Sequence, residues 1–307
     1  MKRLDPFVHL HSHTEYSLFD GISRIGELVS HVKEMGQTAL AITDHGVMYG
    51  AIYLYKECIK QGIKPIIGCE IYVTRGSRFD KSGNGKEKLA HLILLAENNE
   101  GYQNLIKICS KAWTEGYYHR PRADHELLEK YHEGLIVTSA CVGGEVPQAI
   151  LNGDMDEARK VIEFYINTFG KDNYFLEIQN HGLPEEAAVR PVLASLAKEY
   201  GLGLVATNDF HYTKKEDARS QEIKLCISTG KTLDDPYHFH FANDEFYCKS
   251  GDEMRAILGN FPGAIENTRV IADRCNVELT FGEHKLPSFD VPEGETAASY
   301  LRKLCEK

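Results

Sequence analysis

His11 and His13 close a short apolar run, Phe7–Leu10, and Asp20 follows shortly after. Residues two apart on a strand point to the same side, so the two imidazoles project together beside a carboxylate. Metal-binding residue types recur at the ends of other apolar runs. "LAITDHG" ends in Asp44 and His45, "PIIGCE" in Glu70, "LIVTSAC" in Cys141, and "GLVATNDFH" in Asp209 and His211, while "LAHLILL" carries His91. Each alone is weak: a single histidine is more often a hydrogen-bonded core or surface residue, and a single cysteine a small buried hydrophobe. Jointly they are His11, His13, His45, His91, His211, Asp20, Glu70, Asp209 and Cys141. Burying three carboxylates among neutral imidazoles is costly unless cations offset them.

Nine donors exceed the roughly four of one tetrahedral zinc and suit two or three divalent ions. Imidazole and thiolate favour zinc or iron over magnesium, and the carboxylates admit manganese. Asp20, Glu70, Asp209 and a Cys141 thiolate carry −4, and three divalent ions carry +6. The site would then be +2 inside a chain of net charge −10. Such a centre attracts phosphate and activates water near neutral pH, so phosphoester hydrolysis is the expected chemistry.

Strands are expected at Phe7–Leu10, Ala39–Ile42, Pro65–Glu70, His91–Leu95, Leu135–Ser139, Phe175–Gln179 and Gly203–Asn208. Helical periodicity between them includes Arg24–Met35, Ile52–Gln61, Tyr102–Thr114, Met155–Phe169 and Glu185–Tyr200. This alternation predicts a parallel α/β sheet, closed as a βα barrel, with an open doubly wound sheet as the competitor. Either architecture gathers a site at the carboxyl ends of the strands. The polar stretch Arg75–Lys88 reads as an exposed insertion, and 286–307 as a linker with one amphipathic helix, where a longer polypeptide would continue.

The acidic balance argues against a generic nucleic-acid-coating surface. Eight scattered cysteines without a C-x-x-C pattern, and no signal peptide, point to a reduced cytoplasm. No apolar run reaches transmembrane length, so no membrane partner is expected.

"HLHSHTEYSLFDG", "AITDHG", "GCE", "LAHLILLAEN", "TSAC" and "NDFH" resemble the motifs of the PHP (polymerase and histidinol phosphatase) superfamily. The spacers "NEGYQNLIKICSKA", "FLEIQNHG" and "EFYCKSGDEM" resemble the amino-terminal domains of bacterial DNA polymerase III alpha subunits. The resemblance runs from Phe7 to about Phe289. It implies a distorted (β/α)7 barrel, a PHP domain over 1–285, and three divalent ions, zinc foremost, with manganese, iron or magnesium as alternatives. One ion would take His11, His13, Glu70 and Asp209; a second Glu70, His91 and Cys141; a third Asp20, His45 and His211. The implied activity is a bacterial, cytoplasmic, proofreading 3′→5′ exonuclease; Asp209, His11 and His13 are read as its catalytic residues, with either Asp209 or a metal-bound hydroxide as the base. Its partners would be a single-stranded or mismatched DNA 3′ end, the remaining polymerase polypeptide and replisome subunits. No segment resembles the polymerase's paired catalytic aspartates.

Two other readings share these residues: a small-molecule phosphatase or pyrophosphatase, and a metal-stabilised platform for the polymerase or a proofreading partner. Asp44 and His181 are candidates for supporting the metal ligands, with a turn or loop role as the plain alternative. Two stretches are candidates for DNA contact: Arg75, Arg78, Lys81, Lys86 and Lys88, which a flexible solvated loop explains more readily, and Tyr117, Tyr118, His119, Arg120 and Arg122, for which packing of the tyrosines against the barrel is an equal alternative.

Overall fold

The computed structural model describes residues 5–82, 89–283 and 287–306. In chain order the helices are α1 (Ile25–Glu34), α2 (Ala51–Gln61), α3 (Asn99–Thr114), α4 (His125–Lys130), α5 (Glu145–Leu151), α6 (Met155–Phe169), α7 (Pro184–Tyr200), α8 (Ala218–Thr229), α9 (Gly251–Leu258), α10 (Glu266–Arg274) and α11 (Ala297–Cys305). The strands are β1 (Ala39–Ile42), β2 (Lys64–Val73), β3 (Ala90–Ala96), β4 (Arg122–Ala123), β5 (Leu135–Thr138), β6 (Tyr174–Ile178) and β7 (Gly203–Ala206).

The sheet runs β1-β2-β3-β5-β6-β7, with the short β4 beside β2. The extended amino-terminal segment closes it: His9 pairs with Leu40 on one side and Ser12 with Phe210 on the other. The result is a distorted (β/α)7 barrel, and closure excludes the open doubly wound alternative. The strands are parallel except β3, which runs antiparallel to both β2 and β5. That corrects the expectation of a parallel sheet at one strand. A parallel return needs a long crossover, whereas the polar connection between β2 and β3 carries no helix among the described residues.

Period-two patterning sorts each strand's side chains. Ala39 and Ala41 pack inside with Val8, Leu10, Ile66, Ile93, Leu95, Ile136 and Val205, while Leu40 and Ile42 face outward to Leu28, Val32 and Leu54 of α1 and α2. Ile25, Leu28, Val29 and Val32 give α1 its single buried stripe. Asn98 caps α3, its side chain accepting from Gly101 N at 3.0 Å.

A bulge rotates the amino-terminal segment. Ala41 N donates to His9 O, but Thr43 N donates to Ser12 O, so three residues of the segment span two of β1. Val8 and Leu10 therefore lie in the barrel core while His11, out of phase with them, also turns inward; His9 instead bonds Lys249 O at 2.7 Å.

Two of the basic residues singled out by sequence are structural rather than free for DNA. Arg78 is buried, with Nε donating to Glu115 at 2.8 Å and Nη1 to Asp124 at 2.9 Å. Arg122, also buried, donates to the carbonyls of Gly116, Arg78 and Asp80. Lys86 and Lys88 lie outside the described residues. Arg78→Ala is expected to cost about 2–4 kcal/mol, because it strands two partly buried carboxylates, and urea unfolding checks it.

Residues 1–277 form one compact unit and 278–307 a second. In the second, Thr296 and Ser299 cap α11, whose Leu301 and Leu304 are exposed; Leu286 and Lys307 lie outside the described residues. No helix among the described residues is long and apolar enough to cross a membrane.

Candidate metal centre

The nine donor-type residues all reach one rim of the barrel. His11 lies in the bulge and His13 just after it, Asp20 lies in the turn beyond them, and His45 lies in the turn after β1. Glu70 is within β2, which continues past the rim to Val73. Cys141 follows β5, and Asp209 and His211 follow β7. His91 sits at the amino end of β3, not at a carboxyl end. Because β3 is antiparallel, its start meets the rim where its neighbours finish, with Tyr72 opposite His91 in the register.

Three overlapping groups result. His11 Nε2 lies 3.1 Å from Asp209 Oδ1 and 3.4 Å from Glu70 Oε2; His13 Nε2 lies 3.0 Å and 3.1 Å from the same two oxygens. Glu70 also reaches His45 Nδ1 at 2.9 Å and His91 Nδ1 at 2.7 Å, and Cys141 Sγ lies 3.7 Å from that His91 nitrogen. His45 Nε2 lies 3.3 Å from Asp20 Oδ2, and the His13, His45 and His211 rings stack with centroids 4.1 and 4.3 Å apart.

These residues fit bound cations on an observation of their own. His11 Nε2, His13 Nε2, His45 Nδ1, Asp20 Oδ1, Glu70 Oε2 and Asp209 Oδ1 are buried without hydrogen-bond partners among the described residues. Each such atom costs about 1–3 kcal/mol if left unmet. All can present a lone pair; the donor atoms of His11, His13, Glu70 and Asp209 lie within 4.8 Å of one another, as do those of His45, Glu70 and His91 and those of His13, His45 and His211, and Asp20 reaches His45 at 3.3 Å.

The electrostatics agree. Burial alone would lower the pKa values of His11, His13 and His45, yet surrounding carboxylates push all three up, Asp209 and Glu70 at His11 and His13 and Glu70 with Asp20 at His45. Burial would raise Glu70 and Asp209, but the imidazoles hold both well below the carboxylate range. Without metal, protons take the place of cations. His211 differs: burial and the neighbouring His13 lower it to about 4, so it is neutral. Its Nδ1–H donates to Asp209 O at 2.8 Å, leaving Nε2 as a lone pair. Burial, with Asp209 and Glu70 nearby, pushes the Cys141 thiol up, so a thiolate there requires a cation.

Outer contacts aim the donors. A carboxylate can only accept, so His11 Nδ1 carries the proton it gives to Glu177 Oε1 at 2.7 Å, and Nε2 is left for the centre. Gln179, Thr138 and Thr207 donate to Glu177 in turn. Sequence reasoning missed Glu177. Its signal was a carboxylate at mid-strand in the apolar run "YFLEI", which is buried throughout. Glu177→Gln is expected to weaken metal affinity roughly 10–100-fold, read by chelator competition, while the fold is retained.

Asp44 accepts from Thr14 N at 2.7 Å and from Ser17 Oγ at 2.8 Å, and Ser17 Oγ lies 2.9 Å from His13 Nδ1. It thus reaches the centre through Ser17. His181 touches none of the nine donors; its Nε2 donates to Asn208 O at 2.6 Å, bracing the turn into Asp209. Ala140 and Asp209 have φ of 58° and 40°, a left-handed backbone that costs about 1–3 kcal/mol per non-glycine residue. Both occur where the chain must redirect a donor.

Comparison with known proteins gives a consistent set of likenesses. The family model of the PHP domain matches residues 9–181. DNA polymerase III subunit alpha of Thermus aquaticus is 47% identical over 97% of this chain and 25% of that protein. Its counterpart in Treponema pallidum is 46% identical over 98% of this chain and 26% of that protein. The chain therefore spans about a quarter of the length of these relatives. An amidohydrolase from Chromobacterium violaceum superposes on 71% of this chain and 96% of its own at 15% identity and TM-score 0.46, too loose a likeness to carry an argument.

Proposed function

The chain belongs to the PHP domain family, and from that premise we propose that it is the metal-dependent 3′→5′ exonuclease portion of a bacterial DNA polymerase III alpha subunit. The observation that carries the reading is the rim of nine donor-type residues, where six buried polar atoms have no hydrogen-bond partner among the described residues and His11, His13, Glu70 and Asp209 gather their donor atoms within 4.8 Å. The extent of the likeness to polymerase subunits supplies the substrate. An editing nuclease attached to a polymerase must act on the end the polymerase extends, which is the 3′ end.

In this reading His11, His13, Glu70 and Asp209 hold one divalent ion, Glu70, His91 and Cys141 a second, and Asp20, His45 and His211 a third. Zinc suits the imidazole and thiolate donors best. When bound, the ions supply Lewis acidity and a water made acidic near neutral pH. The side chains do the rest. Glu177 and Ser17 fix the tautomers of His11 and His13. Of the two carboxylates in the first group, the Asp209 side chain is 11% exposed and Glu70 only 1%, so Asp209 is the one an entering water reaches. It is the carboxylate proposed to accept a hydrogen bond from that water and so orient it. The remaining polymerase polypeptide, replisome subunits and a cytoplasmic setting complete the proposal.

The test is metal analysis of the purified chain combined with digestion of 3′-labelled single-stranded and mismatched DNA. Label should leave as mononucleotide from the 3′ end, while a 5′ label stays on shortened strands. Turnover of a small phosphomonoester without any release from DNA would replace this reading with that of a small-molecule phosphatase.

A further inference from the structure

A cavity of about 510 Å³ opens directly on the metal rim at His45. Its walls are aromatic and its mouth cationic: Phe19, Tyr49, Trp113, Tyr117 and Arg120 line it. The volume lies within the range of small-molecule sites, about 300–1,000 Å³.

Trp113 and Tyr117 lie parallel, with centroids 5.3 Å apart and 12° between their planes. They are nevertheless 40% and 47% exposed, and Tyr49 is 54% exposed. That leaves aromatic surface accessible around the cavity. Trp113 is also tied to the metal rim, its Nε1–H donating to Gly46 O at 2.8 Å, one residue from His45. Arg120 stands over the Phe19 ring at 4.7 Å and near Tyr72 at 5.6 Å, with no carboxylate in ion-pair reach among the described residues. Tyr72 stacks on His45, centroids 5.7 Å apart. A stack therefore runs from Arg120 through Tyr72 to the metal cluster. Between Tyr117 and Arg120 the chain takes a left-handed turn at His119, φ 61°.

Flat exposed aromatics stack any base, and an uncommitted guanidinium meets a phosphate through its planar fork. We propose that this cavity is a nucleobase subsite, in which Trp113 and Tyr117 hold the 3′-terminal base while Arg120 meets the adjoining phosphate. The assignment rests on the nuclease reading above and adds to it the recognition of a base without regard to its identity. Of the two stretches that are candidates for DNA contact, it keeps Tyr117 and Arg120.

Trp113 is the sole tryptophan of the chain, so its fluorescence reports the cavity. The metal-loaded chain is titrated with dAMP, 2-deoxyribose 5-phosphate and inorganic phosphate. Only dAMP should quench saturably. Tyr117→Ala should weaken dAMP binding and raise KM for a single-stranded oligonucleotide roughly ten- to a hundredfold, with kcat much less affected. Tyr117→Phe should restore both, which separates stacking from misfolding. An oligonucleotide whose 3′-terminal residue is abasic should show the raised KM with the unaltered chain. Equal quenching by all three ligands would overturn the proposal, as would an unchanged KM for the abasic strand. Quenching by dAMP alone without release of nucleotide from DNA would sink the nuclease reading and leave the base site standing.

Discussion

His13→Ala is expected to abolish release of nucleotides from a DNA 3′ end, by about a thousandfold or more. His13 Nε2 meets both carboxylate oxygens that the first donor group shares, Glu70 Oε2 and Asp209 Oδ1. Its ring also stacks between His45 and His211, so it belongs to two groups at once. Removing it takes away a ligand and leaves two buried carboxylates closer to bare. Metal-borne charge stabilisation is worth several kcal/mol, and about 4 kcal/mol is a thousandfold in rate. The measurement is single-turnover digestion of 3′-labelled DNA beside a metal count per chain. An unchanged rate would assign the activity to a contaminant or another site. His9→Ala provides the contrast: His9 is equally buried, but its Nε2 is spent on Lys249 O. It should cost stability while sparing the chemistry of the folded fraction.

The donors were legible because their chemistry has few substitutes. Imidazoles, carboxylates and a thiol at the ends of apolar runs stand out against side chains that merely pack. Their phase was less legible. Same-side projection of His11 and His13 holds, but one extra residue before Ser12 sets which side, and no residue type announces a bulge. His91 was read from the βα alternation, yet reaches the rim only because β3 runs backward. Glu177 escaped because a donor that supports a donor has no spacing rule; it was visible only as a carboxylate in a buried strand. The basic residues were ambiguous for the opposite reason. Charge is a composition signal, and composition cannot distinguish Arg78, consumed by Glu115 and Asp124, from Arg120, which stands over aromatic rings.

Chelation should lower the melting temperature, and by more at pH 8 than at pH 5.5. A metal held at a hundred times its dissociation constant stabilises the fold by about 2.7 kcal/mol per independent site. For a unit of this size that corresponds to roughly 5–10 °C per site. The pH dependence follows from competition between protons and metals. In the metal-free chain, His11, His13 and His45 have raised pKa values. Their stabilising contribution is complete below about 6.5, the unfolded value, and is lost as pH rises through the folded ones. Glu70 and Asp209 have depressed values, so theirs is present above about 4 and is lost only as pH falls through the depressed range. The metal-free cluster is therefore best served between those limits, where imidazolium and carboxylate coexist. The metal-bound cluster has the opposite demand. Its imidazoles must shed their protons, so affinity climbs with pH while the apo fold weakens. The gap between loaded and chelated melting curves should widen steadily over that interval and close again on adding back zinc or manganese. A gap of the same size at both pH values, after verified metal loss, would mean that the imidazoles bear neither protons nor metal as described. The coupling of the centre to the fold would then fail.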